Sequence, residues 1–326
     1  MRPLAKNLLK GSLIVIIFYF ILKQILCNWE AIETHIHEFN WFRFVISIVL
    51  FLLGEFCFNV GWFKILNSND SKVRFHFSNY YWTISGFGKY IPGRIWQFVG
   101  RLHLFNKLGL SKKEIISYSI IEQCYLLLSA FLLFYLLILL TYDMLFEKWP
   151  GLFTYSAFVL ILGGFTFIHP RVLNACTRIL SKFFEKAQFN FRMTYRDSLA
   201  LLAYYGLGWI SIGFGFSFLT NSLIGINPKI FLFLVGANAG AYFLGYIVVV
   251  APAGLGVREG VLTYLLNFVF AKGIGAMFSV IARMWYIVGE IFYLGLSSLV
   301  VVSIRRKDKK LGGEGISKGN SSIDTV

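Results

Sequence analysis

The chain has 326 residues, of which 57% are hydrophobic, 18% aromatic and only 14% charged, with a formal net charge of +15. So little polar surface cannot cover a soluble globule, and the composition is that of a polytopic membrane protein. The excess Lys and Arg fall between apolar runs and near the C-terminus, as in cytoplasmic loops, which argues against nucleic acid as a partner.

A helix needs about 20 apolar residues to cross hydrocarbon. Runs of that kind lie near 8–27, 41–66, 115–141, 150–169, 198–220, 230–251, 258–272 and 274–304. The predicted fold is therefore all-α and polytopic, with about eight transmembrane helices and re-entrant or broken helices near 80–105 and 252–272. The first run follows Arg2, Lys6 and Lys10, but no small-x-small cleavage pattern comes after it, so it reads as an uncleaved signal anchor. Lys and Arg are dense after the second run (Lys72 to Lys113), after the fourth (Arg171 to Arg196) and after the last (Arg305 to Lys310), and sparse in the opposite connections. Both termini are thus expected inside, in a multi-pass protein of the cell's inner (cytoplasmic) membrane. Residues 171–197 mix four Phe with cations, as an interfacial helix does. Residues 1–305 read as the transmembrane domain and 306–326, nearly devoid of apolar side chains, as a disordered cytoplasmic tail.

Two backbone breaks stand out. The stretch Gly88-Lys89-Tyr90-Ile91-Pro92-Gly93-Arg94-Ile95-Trp96-Gln97 lies in an apolar, aromatic segment whose two flanking loops carry charges for the same side, which suits a re-entrant hairpin. The second, Ala251-Pro252-Ala253-Gly254-Leu255-Gly256-Val257-Arg258-Glu259, ends an apolar run of the other half. Paired interruptions of this kind point to a transporter site. If Pro92 opens a half-helix, Arg94, Gln97 and Arg101 share one face with Lys89 just before it, and its N-terminus suits a phosphate or carboxylate. The same cations also suit a positive-inside anchor touching head groups nonspecifically. Gly254 and Gly256 permit a tight turn before Arg258 and Glu259, where Glu259 alternatively serves only as a helix-start residue.

Four more ionisable residues fall inside predicted spans: Glu55, Glu122, Arg283 and Glu290. Charge at that depth needs a partner and often marks a pathway. Arg283 and Glu290, seven apart on one helical face, suggest an ion pair with each other, and Glu122 is close enough to the cytoplasmic edge to be hydrated instead. Gly236, Ala237, Gly240, Ala241 and Gly245 form a small-residue stripe of the kind that packs helices closely. Signatures of soluble enzymes are absent: there is no DxD, GxSxG, Walker loop or HExxH, and the four Cys and five His are scattered, so neither metal nor cofactor is expected.

GKYIPGRIWQ followed some 160 residues later by PAGLGVREG resembles the lysylphosphatidylglycerol synthase transmembrane-region family of flippase-like integral membrane proteins, over residues 5–305. Ala253 stands where that family often has Gly. The resemblance implies an inverted-repeat-like unit that moves lipids with polar head groups. Both motifs fall near the cytoplasmic side here, at odds with a strict inverted repeat. The aminoacyl-transferase activity of bifunctional members belongs to a large soluble domain and is not expected of a chain ending in a short tail. The expected partner is an anionic phospholipid or a lipid-linked saccharide, with Lys89, Arg94, Arg101 and Arg258 on the phosphate and Gln97 and Glu259 on the rest of the head group. Two alternatives stand beside it: a membrane-embedded transferase using Glu259 or Glu290 as general base, and a non-catalytic subunit that recruits envelope-biosynthesis enzymes.

Overall fold

The computed structural model describes residues 39–69, 71, 73–91, 95–141, 193–247, 256–271 and 273–312. They form eight α-helices: α1 Trp41–Leu66, α2 Phe75–Gly86, α3 Trp96–Asn106, α4 Lys112–Leu140, α5 Tyr195–Leu223, α6 Lys229–Ile247, α7 Val257–Leu266 and α8 Ile274–Gly312. Five of these, namely α1, α4, α5, α6 and the Ile274–Arg306 portion of α8, are long and apolar enough to cross a membrane. The protein is thus an all-α, multi-pass membrane protein. The predicted spans at 8–27 and 150–169 lie outside the described residues, as does nearly all of the interfacial segment expected at 171–197.

Side-chain patterning runs the way lipid demands. On α1 the exposed residues Phe42, Val45, Val49, Leu53 and Phe56 recur every three or four positions and form an apolar outer stripe. The opposite stripe, Phe51, Glu55, Phe58, Trp62 and Ile65, is buried and carries the carboxylate. The outside is greasy and the inside holds the charge, the inverse of a soluble bundle.

Local chemistry sets where helices begin. Asn40 caps α1, its side-chain oxygen accepting from Arg43 N at 3.0 Å. Ser111 and Glu114 close a reciprocal capping box at α4, and Thr194 and Asp197 do so at α5. At α7 the Gly256 N–H donates to Glu259 Oε2 at 2.7 Å, while Gly256 itself sits at φ +82, a backbone angle that penalises a side chain.

Glycines let the long helices approach. Gly54 of α1 and Gly208 of α5 leave room for Ile212 and Phe58 of the facing helix, and a Cβ on Gly61 would lie 2.8 Å from the Tyr205 ring. The stripe on α6 works likewise: Gly240 takes up Phe134 of α4, and a Cβ on Gly245 would stand 2.8 Å from Arg258 Cβ. Lipid offers helices no hydrophobic drive to associate, so such close contact supplies the adhesion.

The two broken regions take distinct forms. Helices α2 and α3 are too short to cross and are joined through a 3-10 turn, Phe87–Tyr90. A side chain on Gly88 would collide with the backbone N of Gln97, which is why the turn has glycine there. The helix expected to open at Pro92 begins instead at Trp96, with Ile95 as its N-cap, and Pro92, Gly93 and Arg94 lie outside the described residues. Helix α7 has ten residues, roughly 15 Å, half the depth of the hydrocarbon. Pro252 and Gly254, before it, are also outside the description. At the C-terminal end α8 runs to Gly312, past residue 306 where the tail was expected to start, and residues 313–326 lie outside the described residues.

Candidate functional site

All eight helices contribute to one central cavity. The first motif sends in Lys89, Tyr90 and Gln97, Arg101 follows one turn later on α3, and the second motif sends Arg258. Helix α1 adds Glu55, α4 adds Glu122, and α8 adds Arg283, Tyr286 and Glu290. Two motifs about 160 residues apart in sequence therefore line one hollow. Glu259, expected beside them, sits just behind the lining against Arg283.

Three of the cations are already matched. Arg101 is 3% exposed and Glu122 is fully buried, and the two form a bidentate pair in which Nη1 makes a short bond to Oε2 and Nη2 donates to Oε1 at 3.1 Å. Trp82 Nε1 donates to the same carboxylate at 2.6 Å and Gln123 Nε2 at 3.0 Å. The guanidinium also lies over the Trp62 ring, 4.6 Å from its centroid. Glu122 is therefore a sealed partner and not a hydrated edge residue.

Lys89 Nζ donates to Glu290 Oε1 at 2.6 Å, and Tyr90 Oη donates to Oε2 at 3.1 Å. Arg283 Nη1 stands 3.6 Å from Glu259 Oε1 and lies over the Tyr90 ring. The ion pair expected between Arg283 and Glu290 is thus replaced by two pairs to other elements. The reason is geometric: seven residues rise about 10 Å along a helix, too far for a direct bridge, whereas the 3-10 turn and α7 bring partners within reach. Glu259 and Glu290, the two carboxylates considered as general bases, are both held in ion pairs.

Arg258 differs. It is 8% exposed, lies over the Tyr286 ring 3.9 Å from the centroid, and reaches Asn238 Oδ1 at 3.5 Å. Asn238 and Tyr286 in turn exchange hydrogen bonds of 2.9 and 3.2 Å. Among the described residues no carboxylate lies within ion-pair distance of Arg258. Aromatic faces and an amide orient this cation without cancelling its charge.

Asn238 and Tyr286 escaped the sequence reading. Asn238 sits fully buried inside the small-residue stripe, whose spacing points to helix packing. The one signal was its polarity: an amide amid Gly and Ala at membrane depth needs a partner. Trp82 and Gln123 carried no such mark, since aromatics abound in this chain and Gln123 merely follows Glu122.

Fold and cavity together define a polytopic membrane protein whose bundle encloses an ion-paired, aromatic-lined hollow fed by two interrupted helical segments. The chain belongs to the lysylphosphatidylglycerol synthase TM region family, whose model matches residues 7–289, and so to a family of lipid-related membrane proteins. Comparison with curated proteins gives no match.

Proposed function

We propose that this protein binds the anionic head group of a phospholipid or lipid-linked saccharide in the central cavity and carries it across the cytoplasmic membrane, with both chain termini inside. The observation that carries this reading is Arg258. A buried guanidinium in a protein-lined cavity, unmatched by a carboxylate among the described residues, is expensive to keep unless an anion visits it. Arg258 would receive the phosphate, with Gln97, another lining residue, contacting the rest of the head group and Lys89 within exchange reach of Glu290. A phosphate cannot enter hydrocarbon unaided, and fixed cations, phenols and indoles replace the water it sheds.

The test is head-group exposure in reconstituted vesicles, with an acyl-labelled phosphatidylglycerol quenched from outside. The intact protein should convert a plateau of half-quenched probe into nearly complete quenching, and Arg258→Gln should slow the second phase by at least tenfold. Equal rates for the two proteins would remove Arg258 from the pathway and the reading with it.

A further inference from the structure

Glu55 stands out once the other charges are matched. It lies mid-helix on α1, is 8% exposed and lines the cavity. Among the described residues no donor reaches its carboxylate, whereas Glu122 has three donor residues and Glu290 has two. Its charged neighbours are Glu290 of α8, Lys89 of the 3-10 turn and Glu122 of α4. Tyr286 and Tyr293 of α8 also feel it, and the wall that α5 supplies beside it, Trp209 and Ile212, carries no charge. Lys89, the cation nearest in this group, is already held by Glu290 at 2.6 Å.

We propose that Glu55 is a proton-binding site of the cavity, protonated when an anionic head group is bound, so that head-group capture takes up a proton. This rests on the reading of the cavity as an anion site. An ionised carboxylate without donors at this depth costs several kcal/mol, and two further carboxylates nearby add repulsion. An arriving phosphate adds more negative charge and competes with Glu290 for Lys89. Protonation of Glu55 removes one negative charge from the cavity and so offsets the charge the phosphate brings. The proton is taken up from bulk solvent, relayed by water in the cavity, and bonds to one Glu55 carboxylate oxygen; its conjugate base stays in the bulk buffer, and nothing is oxidised or reduced. Because the bound state holds more protons than the empty one, binding strengthens as pH falls.

The experiment has two readouts on the full chain in nanodiscs. The first is the infrared carboxylic-acid band with an anionic lipid present: the intact protein should show it, Glu55→Gln should lack it, and Glu55→Asp should restore it at a shifted position. The second is affinity for short-chain phosphatidylglycerol against pH. The intact protein should bind more tightly toward acid, by at most about tenfold per pH unit for one proton, and Glu55→Gln should bind with little pH dependence. A band that survives in Glu55→Gln, or equal pH dependence in both proteins, would overturn the proposal. If the intact protein binds no anionic probe, the transport reading fails and capture-linked proton uptake with it, and a band lost in Glu55→Gln then marks Glu55 as a carboxyl already protonated in the empty cavity.

Discussion

Arg101 and Glu122 meet where neither can reach bulk water, so each depends on the other. Removing one member of such a pair leaves an uncompensated buried charge, at a cost of about 3–5 kcal/mol. Glu122→Ala should therefore lower the unfolding midpoint of the detergent-solubilised protein sharply. The double change Arg101→Met with Glu122→Leu, which removes both charges and keeps volume, should lose less than Glu122→Ala alone. Arg258 obeys a different rule, because its support is a ring face: Arg258→Lys keeps the charge but gives up the planar stack on Tyr286. The ionisable residues themselves could be found in the sequence by depth alone, since any charge inside an apolar run is conspicuous. Their partners could not. Lys89 and Glu290 are 201 positions apart, and only the tertiary fold, which sets the 3-10 turn against α8, puts them together.

At the scale of elements, length and composition carried most of the information. The helices expected at 41–66, 115–141, 198–220 and 230–251 appear within a few residues of their apolar runs, and the one expected at 274–304 starts on its run and continues to Gly312, because a span is dictated by bilayer thickness more than by any single residue. The short segments were harder to read. Proline and glycine mark a break but not which residue starts the next helix, and α3 opens at Trp96 instead of Pro92. The small-residue stripe was legible as packing, and it gives a test. Gly240→Val would drive methyl groups into the Phe134 ring, and overpacking of this kind costs about 1–3 kcal/mol. Gly206→Ala on α5, where a Cβ meets nothing within 4 Å, should leave the thermal midpoint unchanged or raise it slightly. Paired melting curves in one detergent check both.

Across the whole molecule, three of the four cavity-lining cations described are each held by a carboxylate, and Arg258 alone is held by neutral groups. The positive field in the hollow is therefore local to one guanidinium and does not run as an unbroken lane from face to face. Chloride or free phosphate stepping into it would find one attractive stop and, among the described residues, no second. The protein should therefore be a poor conductor: vesicles that contain it ought to hold a potassium-diffusion potential as long as empty vesicles do, as followed with a voltage-sensitive dye. The same ion pairs that organise the cavity thus act as insulation, sparing the cell's electrical gradient.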